Sequence, residues 1–223
     1  MNLSKCHDFF QPEKFTDRIH IIGCGSVGST VAENLARSGV TKMTLWDFDL
    51  VEAKNIANQM FTQADIGKPK VEALSRILSD INPDIKYDLK IQPKGWDGQK
   101  LSGYVFLCVD SIEIRRAIVE KHFDNTYIKA MFDFRTRLTD AQHYAVDWSN
   151  YQQKKNFLGS MNFSHEEAKE ETPVSACNVE LSVCPTVRII CALGVSNFMN
   201  FWNGKGIKNM VLMDAFDMVL DAM

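Results

Sequence analysis

The feature that most limits the fold is a glycine-rich turn that lies between a strand pattern and a helix pattern near the start of the chain. Residues 18–22 form a short apolar run typical of a buried strand, and Gly23, Gly25 and Gly28 follow at once. Residues 27–37 then have apolar side chains at helical spacing. Because small residues let backbone N–H groups approach an anion at a helix N-terminus, this order predicts a phosphate-binding loop.

Strand and helix patterns continue to alternate through the first half of the chain. Further strands are predicted at residues 42–46, 85–91, 104–109 and 127–132, and further helices at residues 69–81 and 112–122. This alternation indicates an α/β fold of the Rossmann-like kind, with a doubly wound, mostly parallel sheet. Ligands of such sheets bind beyond the carboxyl ends of the strands.

The pattern changes after residue 133, and we expect a mixed C-terminal part of the sheet there. Residues 142–147 and 209–213 are predicted strands, and residues 186–202 a predicted helix. Between them, residues 149–173 are polar and acidic with little periodicity, so a long mobile crossing segment is expected. No repeat or linker divides the chain, and residues 1–223 are therefore predicted to form one domain.

Composition and charge exclude several classes of protein. The chain has 25 Lys+Arg and 28 Asp+Glu, a net charge of −3, which argues against binding nucleic acid through bulk electrostatics. No start segment has the pattern of a signal peptide, and the apolar stretch 187–202 is interrupted by polar residues and too short to span a bilayer. The six cysteines form no Cys-x-x-Cys pair, which, without an export signal, predicts a cytoplasmic protein with reduced thiols. The absence of a long apolar stretch predicts that the protein has no membrane partner.

Four polar residues beyond the glycine loop suggest which nucleotide binds. Asp47 ends the second predicted strand, about twenty residues after the loop, where a carboxylate can accept ribose hydroxyls. Asn55 and Lys70 supply a neutral donor and a cation, which suit a triphosphate. Asp110 ends another strand and is a hard oxygen ligand for Mg²⁺. Taken singly, Lys70 could be a solvated helix-start residue and Asp110 a helix cap; together they favour Mg·ATP.

In this order the motifs resemble the ThiF/MoeB/HesA family, the adenylation domain of ubiquitin-activating-type enzymes. The resemblance is strong over residues 18–118 and weaker to residue 204. The matching pieces are the glycine loop, residues 47–52, Asn55, Gln59, residues 67–70, Asn82-Pro83 and residues 110–115. The resemblance implies ATP- and Mg²⁺-dependent adenylation of the C-terminal glycine carboxylate of a small ubiquitin-like or sulfur-carrier protein.

The resemblance also implies the role of each matching residue. The residues implied to contact ATP are Gly23, Gly25, Ser26, Gly28, Asp47, Asp49, Asn55, Gln59 and Lys70. Asp110 is implied as the metal ligand and catalytic-centre aspartate, with Lys70 as the second catalytic group. The chemistry agrees, because attack of an ionised carboxylate on phosphorus needs alignment and charge neutralisation rather than a general base.

Cys177 is a candidate nucleophile for a later thiol-transfer step. The family often has a cysteine at the equivalent place, and a thiol near a cationic site can have a lowered pKa. The alternative is a small buried thiol, since Cys177, Cys184 and Cys191 recur every seven residues as one apolar face would.

Three departures describe a compact, divergent member of that family. Asn58 stands where many relatives have an arginine, residues 1–17 offer lysines where relatives supply another arginine, and zinc motifs are absent. Four other arginines could compensate: Arg115, Arg116, Arg135 and Arg137. The departures leave open a nucleotide-binding scaffold that pairs with an active relative, and a tRNA-modifying adenylating dehydratase. An NAD-dependent oxidoreductase is a more distant alternative.

The apolar helix predicted at residues 187–202 bears on assembly. It carries more large apolar side chains than one buried face needs, which predicts a homodimer interface. A central buried helix is the alternative.

Overall fold

The computed structural model describes residues 1–163 and 182–223, and one sheet of eight strands runs through these parts. The strands are β1 Ile19–Ile22, β2 Met43–Trp46, β3 Lys90–Gln92, β4 Gly103–Leu107, β5 Ile128–Thr136, β6 Asp140–Asp147, β7 Met210–Asp214 and β8 Val219–Ala222. Their order is β3-β2-β1-β4-β5-β6-β7-β8. The first five are parallel, and β6, β7 and β8 add antiparallel pairs.

Helices cover both faces of this sheet, as the apolar faces of a parallel sheet require. The helices are α1 Ser26–Arg37, α2 Lys70–Ile81, α3 Ile112–Lys121, α4 Tyr151–Gly159 and α5 Cys184–Trp202. Side chains of α1, α2 and α5 share one core cluster with Ile19 and Ile21, whereas those of α3 and α4 share another with Ile22. The alternation of β1 side chains between two faces thus builds two cores from one strand.

The predicted fold class is confirmed. The sheet is mostly parallel and doubly wound, with a mixed C-terminal part. The chain runs outward from β1 through β2 to β3, and then crosses back to place β4 on the other side of β1. The order therefore reverses between β1 and β4, and in such folds ligands bind at that reversal.

Two predicted segments are partly wrong. Residues 83–87 form a 3₁₀ helix in place of the strand predicted at 85–91, because Asn82 caps it by accepting a hydrogen bond from the Asp84 amide; β3 is correspondingly short. The segment expected to be mobile from residue 149 contains α4, which Asn150 caps and which buries Phe157. Residues 164–173 lie outside the described residues, and β8 was not predicted.

Helix α5 matches the central-helix alternative more closely than the interface prediction. Its large apolar residues Ile190, Val195 and Phe198 are buried against the sheet of the same chain, although Ile189 is 43% exposed. Cys191 is also buried, with its thiol 3.6 Å from the Val27 carbonyl oxygen. The homodimer remains a prediction without support from this helix.

Across the two described ranges, none of the helices has the length and hydrophobicity that crossing a bilayer requires.

The long connection from β2 to α2 is held by one buried carboxylate, Asp65. Its oxygens accept hydrogen bonds from the amide and hydroxyl of Thr62, at 3.0 and 2.8 Å, and from Arg76 at 3.0 and 3.1 Å. Burial alone would raise the pKa of Asp65, but the bonds from Thr62 and Arg76 outweigh it and lower the pKa to about 2. The ionised carboxylate of Asp65 therefore anchors the connection to α2.

Replacing Asp65 by asparagine should lower the free energy of unfolding by about 1–3 kcal/mol, because a buried charged hydrogen-bond acceptor is lost. The matched control is Asp80→Asn, since Asp80 binds the same Arg76 at 3.0 Å but is exposed; its loss should cost at most about 0.5 kcal/mol. Urea unfolding measures both.

The effect should depend on pH with a defined sign. The pKa of Asp65 is lowered in the folded state, so its stabilisation is complete above the ordinary value of 3.8 and disappears as pH falls toward about 2. A difference between wild type and Asp65→Asn that grows on acidification would contradict this assignment.

Candidate active site

A cleft of about 990 Å³ opens at the carboxyl ends of β1, β2 and β4. Nine of the residues proposed from the sequence line it: Gly23, Gly25, Ser26, Asp47, Asp49, Asn55, Gln59, Lys70 and Asp110. Gly28 lies behind the loop, against the backbone of Gly23. Cys177 falls outside the described residues.

Two glycines of the loop are required by packing and one faces open space. A Cβ on Gly28 would lie 1.9 Å from the Gly23 carbonyl oxygen, and Gly23 itself has φ +93° and touches the Cys108 backbone. At Gly25, in contrast, the nearest atom to a Cβ would be Gln59 Nε2 at 3.9 Å. The loop therefore brings α1 close to the sheet and leaves room for a ligand over Gly25.

The N-terminus of α1 faces the same space. Gly25 is the N-cap, no side chain caps the helix, and its first turn, which begins at Ser26, has no acidic residue. The first backbone N–H groups of a helix lack partners within the helix and carry partial positive charge. This end of α1 can consequently bind a phosphate group.

Asp47 joins the end of β2 to the glycine loop. Its carboxylate accepts hydrogen bonds from the amides of Cys24, at 2.6 Å, and Asp49, at 2.8 Å. Burial raises the pKa of Asp47 above its ordinary value, and these two amides partly offset the rise. Because each carboxylate oxygen can accept more than one hydrogen bond, Asp47 can still bind a ribose hydroxyl.

Lys70 is a buried cation rather than a solvated helix-start residue. Its side chain is 9% exposed, and its Nζ lies 2.7 Å from Oδ2 of the half-exposed Asp49. The neighbouring Lys68 is 50% exposed and pairs with Asp65 at 3.4 Å, away from the cleft. The structure thus separates two lysines that the sequence shows side by side.

Two amide side chains complete the wall next to Lys70. Asn55 is buried, and its Oδ1 accepts a hydrogen bond from the Glu52 amide at 2.8 Å, which leaves Nδ2 as the donor group. Gln59 Oε1 is buried without a hydrogen-bond partner in the described part of the chain. Asn58 lines the cleft beside them.

Asp110 is an exposed carboxylate at the end of β4. Ser111, and not Asp110, caps α3 by accepting a hydrogen bond from the Ile114 amide at 3.2 Å, so the capping alternative for Asp110 is wrong. Within residues 1–163 and 182–223, no group of three or more His, Cys, Asp or Glu side chains is placed to hold a metal ion. A divalent cation at Asp110 would therefore take further ligands from phosphate oxygens and water.

The arginines considered as substitutes have other partners. Arg115 and Arg135 line the cleft, and both are paired with the buried carboxylate of Asp133. Arg137 also lines the cleft and pairs with Asp140 at 2.9 Å. Arg116 is outside the cleft and donates to the carbonyl oxygens of two residues that follow α4, Met161 and Phe163.

Sequence reasoning missed Asp133, the buried carboxylate that pairs with two arginines of the cleft. A signal was present, since an aspartate interrupts the apolar run Met131-Phe132-Asp133-Phe134, and a buried charge of this kind needs a charged partner.

The other cysteines near the cleft, Cys24 and Cys108, are packing residues. Cys24 and Cys108 are buried, and burial raises the pKa of both thiols. Neither is a candidate nucleophile, since the reactive form of cysteine is the thiolate.

Comparison with known proteins gives a consistent result. The family model described as "ThiF family" matches residues 2–222. The protein named ubiquitin-like modifier-activating enzyme 5 of Culex quinquefasciatus is 37% identical over 116 residues, which cover 45% of this chain and 29% of that protein. Its namesake in Drosophila mojavensis is 36% identical over 123 residues, covering 48% and 31%. The matches thus span less than a third of these curated relatives.

Solved structures show the same fold at low sequence identity. E. coli MccB with MccA-N7isoASN matches with a TM-score of 0.74 and 16% identity over 93% of this chain and 64% of that one. E. coli MccB with ATP matches with a TM-score of 0.70 and 16% identity, covering 93% and 63%. PaaA matches with a TM-score of 0.69 and 15% identity, covering 93% and 64%. By the family model, which matches nearly the whole chain, this protein belongs to the ThiF family.

Proposed function

We propose that this protein is an ATP-dependent adenylating enzyme that activates the C-terminal glycine carboxylate of a small ubiquitin-like or sulfur-carrier protein. The observation that carries the proposal is the cleft, where the open space over Gly25, the buried cation Lys70 and the exposed carboxylate Asp110 converge. The names of the relatives support the substrate class, because they are ubiquitin-like modifier-activating enzymes. The fold shared with MccB, which was solved with ATP, supports the nucleotide.

The nucleotide-binding residues then have distinct tasks. The backbone of Gly25 and Ser26 at the start of α1 binds phosphate oxygens, with Asn55 and Gln59 as amide groups beside them. Asp47, which the loop amides hold in place, accepts hydrogen bonds from the ribose hydroxyls. Asp49 pairs with Lys70 in the cleft, and when the nucleotide binds, its phosphate oxygens interact with the Lys70 ammonium as well.

The reaction transfers the adenylyl group to the carrier carboxylate. A carboxylate oxygen forms a bond to the α-phosphorus, the bond from that phosphorus to the bridging oxygen breaks, and pyrophosphate leaves with the electron pair. Lys70 stabilises the charge that develops on the phosphate oxygens. Asp110 would hold Mg²⁺, which supplies further charge neutralisation when it is bound. No proton is removed, since the attacking carboxylate is already ionised.

The same proposal includes three points that rest on the sequence alone: transfer of the acyl group from the adenylate to the thiol of Cys177 with release of AMP, a homodimer, and a cytoplasmic location.

A nucleotide-binding scaffold that pairs with an active relative is the second candidate. Asn58 replaces an arginine of many relatives, and Arg115 and Arg135 are committed to Asp133. With fewer cations free for phosphate, catalysis would be slow while binding persisted. A tRNA-modifying dehydratase is less consistent with the net charge of −3.

Substitution of Gly25 separates binding from folding. Gly25→Ala should fold normally, because the added Cβ meets no atom closer than 3.9 Å, yet it fills the space over the helix N-terminus and should weaken Mg·ATP binding about tenfold or more. Gly28→Ala is the contrasting variant and should destabilise the fold, since its Cβ would overlap the Gly23 carbonyl. Calorimetric titration and thermal unfolding measure the two effects. NAD binding equal to or tighter than Mg·ATP binding would refute the nucleotide assignment.

Lys70→Ala should weaken Mg·ATP binding, because the cation buried in the cleft is lost. Lys68→Ala is the matched control: this half-exposed lysine pairs with Asp65 outside the cleft and should leave affinity within about twofold. Equal losses in the two variants would show a general effect of charge rather than a contact of Lys70.

Exchange of labelled pyrophosphate into ATP tests adenylation directly, with purified ubiquitin-like and sulfur-carrier proteins that end in glycine as substrates. Asp110→Ala should reduce exchange about a hundredfold or more, as expected for a group at the charge-developing centre. Cys177→Ala should retain exchange and lose any thiol-sensitive covalent adduct, because a later nucleophile does not affect the first step. Absence of exchange in the wild type with every carrier, despite Mg·ATP binding, would favour the scaffold.

A further inference from the structure

We propose that Arg115, held by the buried Asp133, is a positioning residue that sets the direction of Asp110 in the cleft. The inference rests on the proposed function and deepens it, because it assigns a task to two residues that the sequence motifs left without one. It concerns the backbone turn that carries the candidate metal ligand rather than a direct contact with nucleotide.

The carboxylate of Asp133 holds two arginines in place. It is fully buried near the carboxyl end of β5, between Phe132 and Phe134, and it accepts hydrogen bonds from two guanidinium groups. Arg115 Nη1 donates to Oδ1, and Arg135 Nε donates to Oδ2 at 2.8 Å. A buried charge with two charge-assisted bonds is held in one geometry, so Asp133 fixes both arginines.

Arg115 also holds the backbone turn that follows β4. Arg115 is buried, and its Nη2 donates to the carbonyl oxygen of Val109, the residue directly before Asp110. On the other side, Ser111 caps α3. The peptide unit before Asp110 is thus held by Arg115, and Ser111 starts α3 directly after it. Within the described residues, the side chain of Asp110 itself makes no hydrogen bond that would orient it. The direction of the Asp110 carboxylate depends on this turn.

A guanidinium is needed for this bridge. Its planar fork can donate to a carboxylate and to a carbonyl oxygen at the same time, whereas the ammonium of lysine is a compact point charge. Arg115→Lys should therefore keep a charge near Asp133 and loosen the Val109 carbonyl. Groups that orient a metal ligand in this way typically change metal affinity by about tenfold to a hundredfold.

Arg135 offers a matched control on the same carboxylate. Its Nε binds Asp133 as Arg115 does, but its other donors bind the carbonyl and hydroxyl oxygens of Ser160, at 2.8 and 3.0 Å, at the end of α4. Arg135→Lys therefore loses an equivalent fork without loosening the turn that carries Asp110.

The experiment measures ATP affinity by calorimetry with Mg²⁺ and with EDTA, and takes Asp110→Ala as the variant without the metal ligand. We expect Arg115→Lys to lose about tenfold of the Mg²⁺-dependent gain in affinity seen in the wild type, while its Mg²⁺-free affinity stays within about twofold. Arg135→Lys should retain both values. Asp133→Asn, which weakens the hold on Arg115, should resemble Arg115→Lys and provides a second variant if that protein unfolds.

The possible outcomes are distinct. An unchanged Mg²⁺-dependent gain in Arg115→Lys and Asp133→Asn would overturn the positioning role. A loss of Mg²⁺-free affinity in Arg115→Lys would also overturn it, because Arg115 would then contact phosphate directly. Equal effects in Arg115→Lys and Arg135→Lys would show a general loss of stability. If the wild type itself gains no affinity through Asp110 and Mg²⁺, the metal assignment in the proposed function fails instead.

Discussion

The whole site depends on the close approach of α1 to the sheet at the glycine loop. A Cβ on Gly28 would lie 1.9 Å from the Gly23 carbonyl oxygen, so no other residue fits there. A Cβ on Gly23 would in turn lie 2.7 Å from the carbonyl oxygen of Cys108, directly after β4. This contact joins the end of β1, the start of α1 and the end of β4 in one place. The N–H groups of α1 and the carboxylate of Asp110 can face one cleft because that approach is possible.

Three carboxylates, of which Asp65 and Asp133 are buried and Asp47 is partly buried, hold the segments around the cleft together. Asp47 ties β2 to the glycine loop, Asp65 ties the β2–α2 connection to α2, and Asp133 ties the β4–α3 turn to β5. Each of these carboxylates binds backbone amides or arginines, so the cost of taking its charge out of water is offset by charge-assisted bonds. These three carboxylates therefore position the segments that carry the cleft residues, among them Asp110.

The sequence predicted the parts of this arrangement that have local signals. The glycine loop, the strand before it and the helix after it are consecutive in the chain, and the alternation that continues from them led to the fold class. The resemblance to the ThiF/MoeB/HesA family, carried by motifs in the same order, then implied most of the cleft residues. The strand predicted at 85–91 was partly wrong because Asn82 and Pro83 favour a 3₁₀ turn that apolar periodicity does not reveal. The burial of Lys70 beside the exposed Lys68, and the pairing of Asp133 with Arg115, depend on contacts between distant segments. No pattern along the chain specifies such contacts.

The charges that line the cleft indicate that a divalent cation contributes strongly to the proposed nucleotide binding. The cleft is lined by five carboxylates, Asp47, Asp49, Glu52, Asp110 and Asp140, and by five cations, Lys54, Lys70, Arg115, Arg135 and Arg137. Arg115 and Arg135 pair with the buried Asp133, Arg137 pairs with Asp140, and Lys70 pairs with Asp49. Lys54 is mostly exposed and pairs with Glu52 at 3.0 Å, so its contribution is screened by water and salt. A triphosphate that enters the cleft without a divalent cation therefore meets cations that already pair with carboxylates. The resemblance to the ThiF/MoeB/HesA family implies that many relatives have an arginine, and so a further cation, at the position of Asn58. The proposed nucleotide binding should therefore depend on Mg²⁺ more than in those relatives. It should also depend on the hydrogen bonds of Arg115 that hold the turn before Asp110.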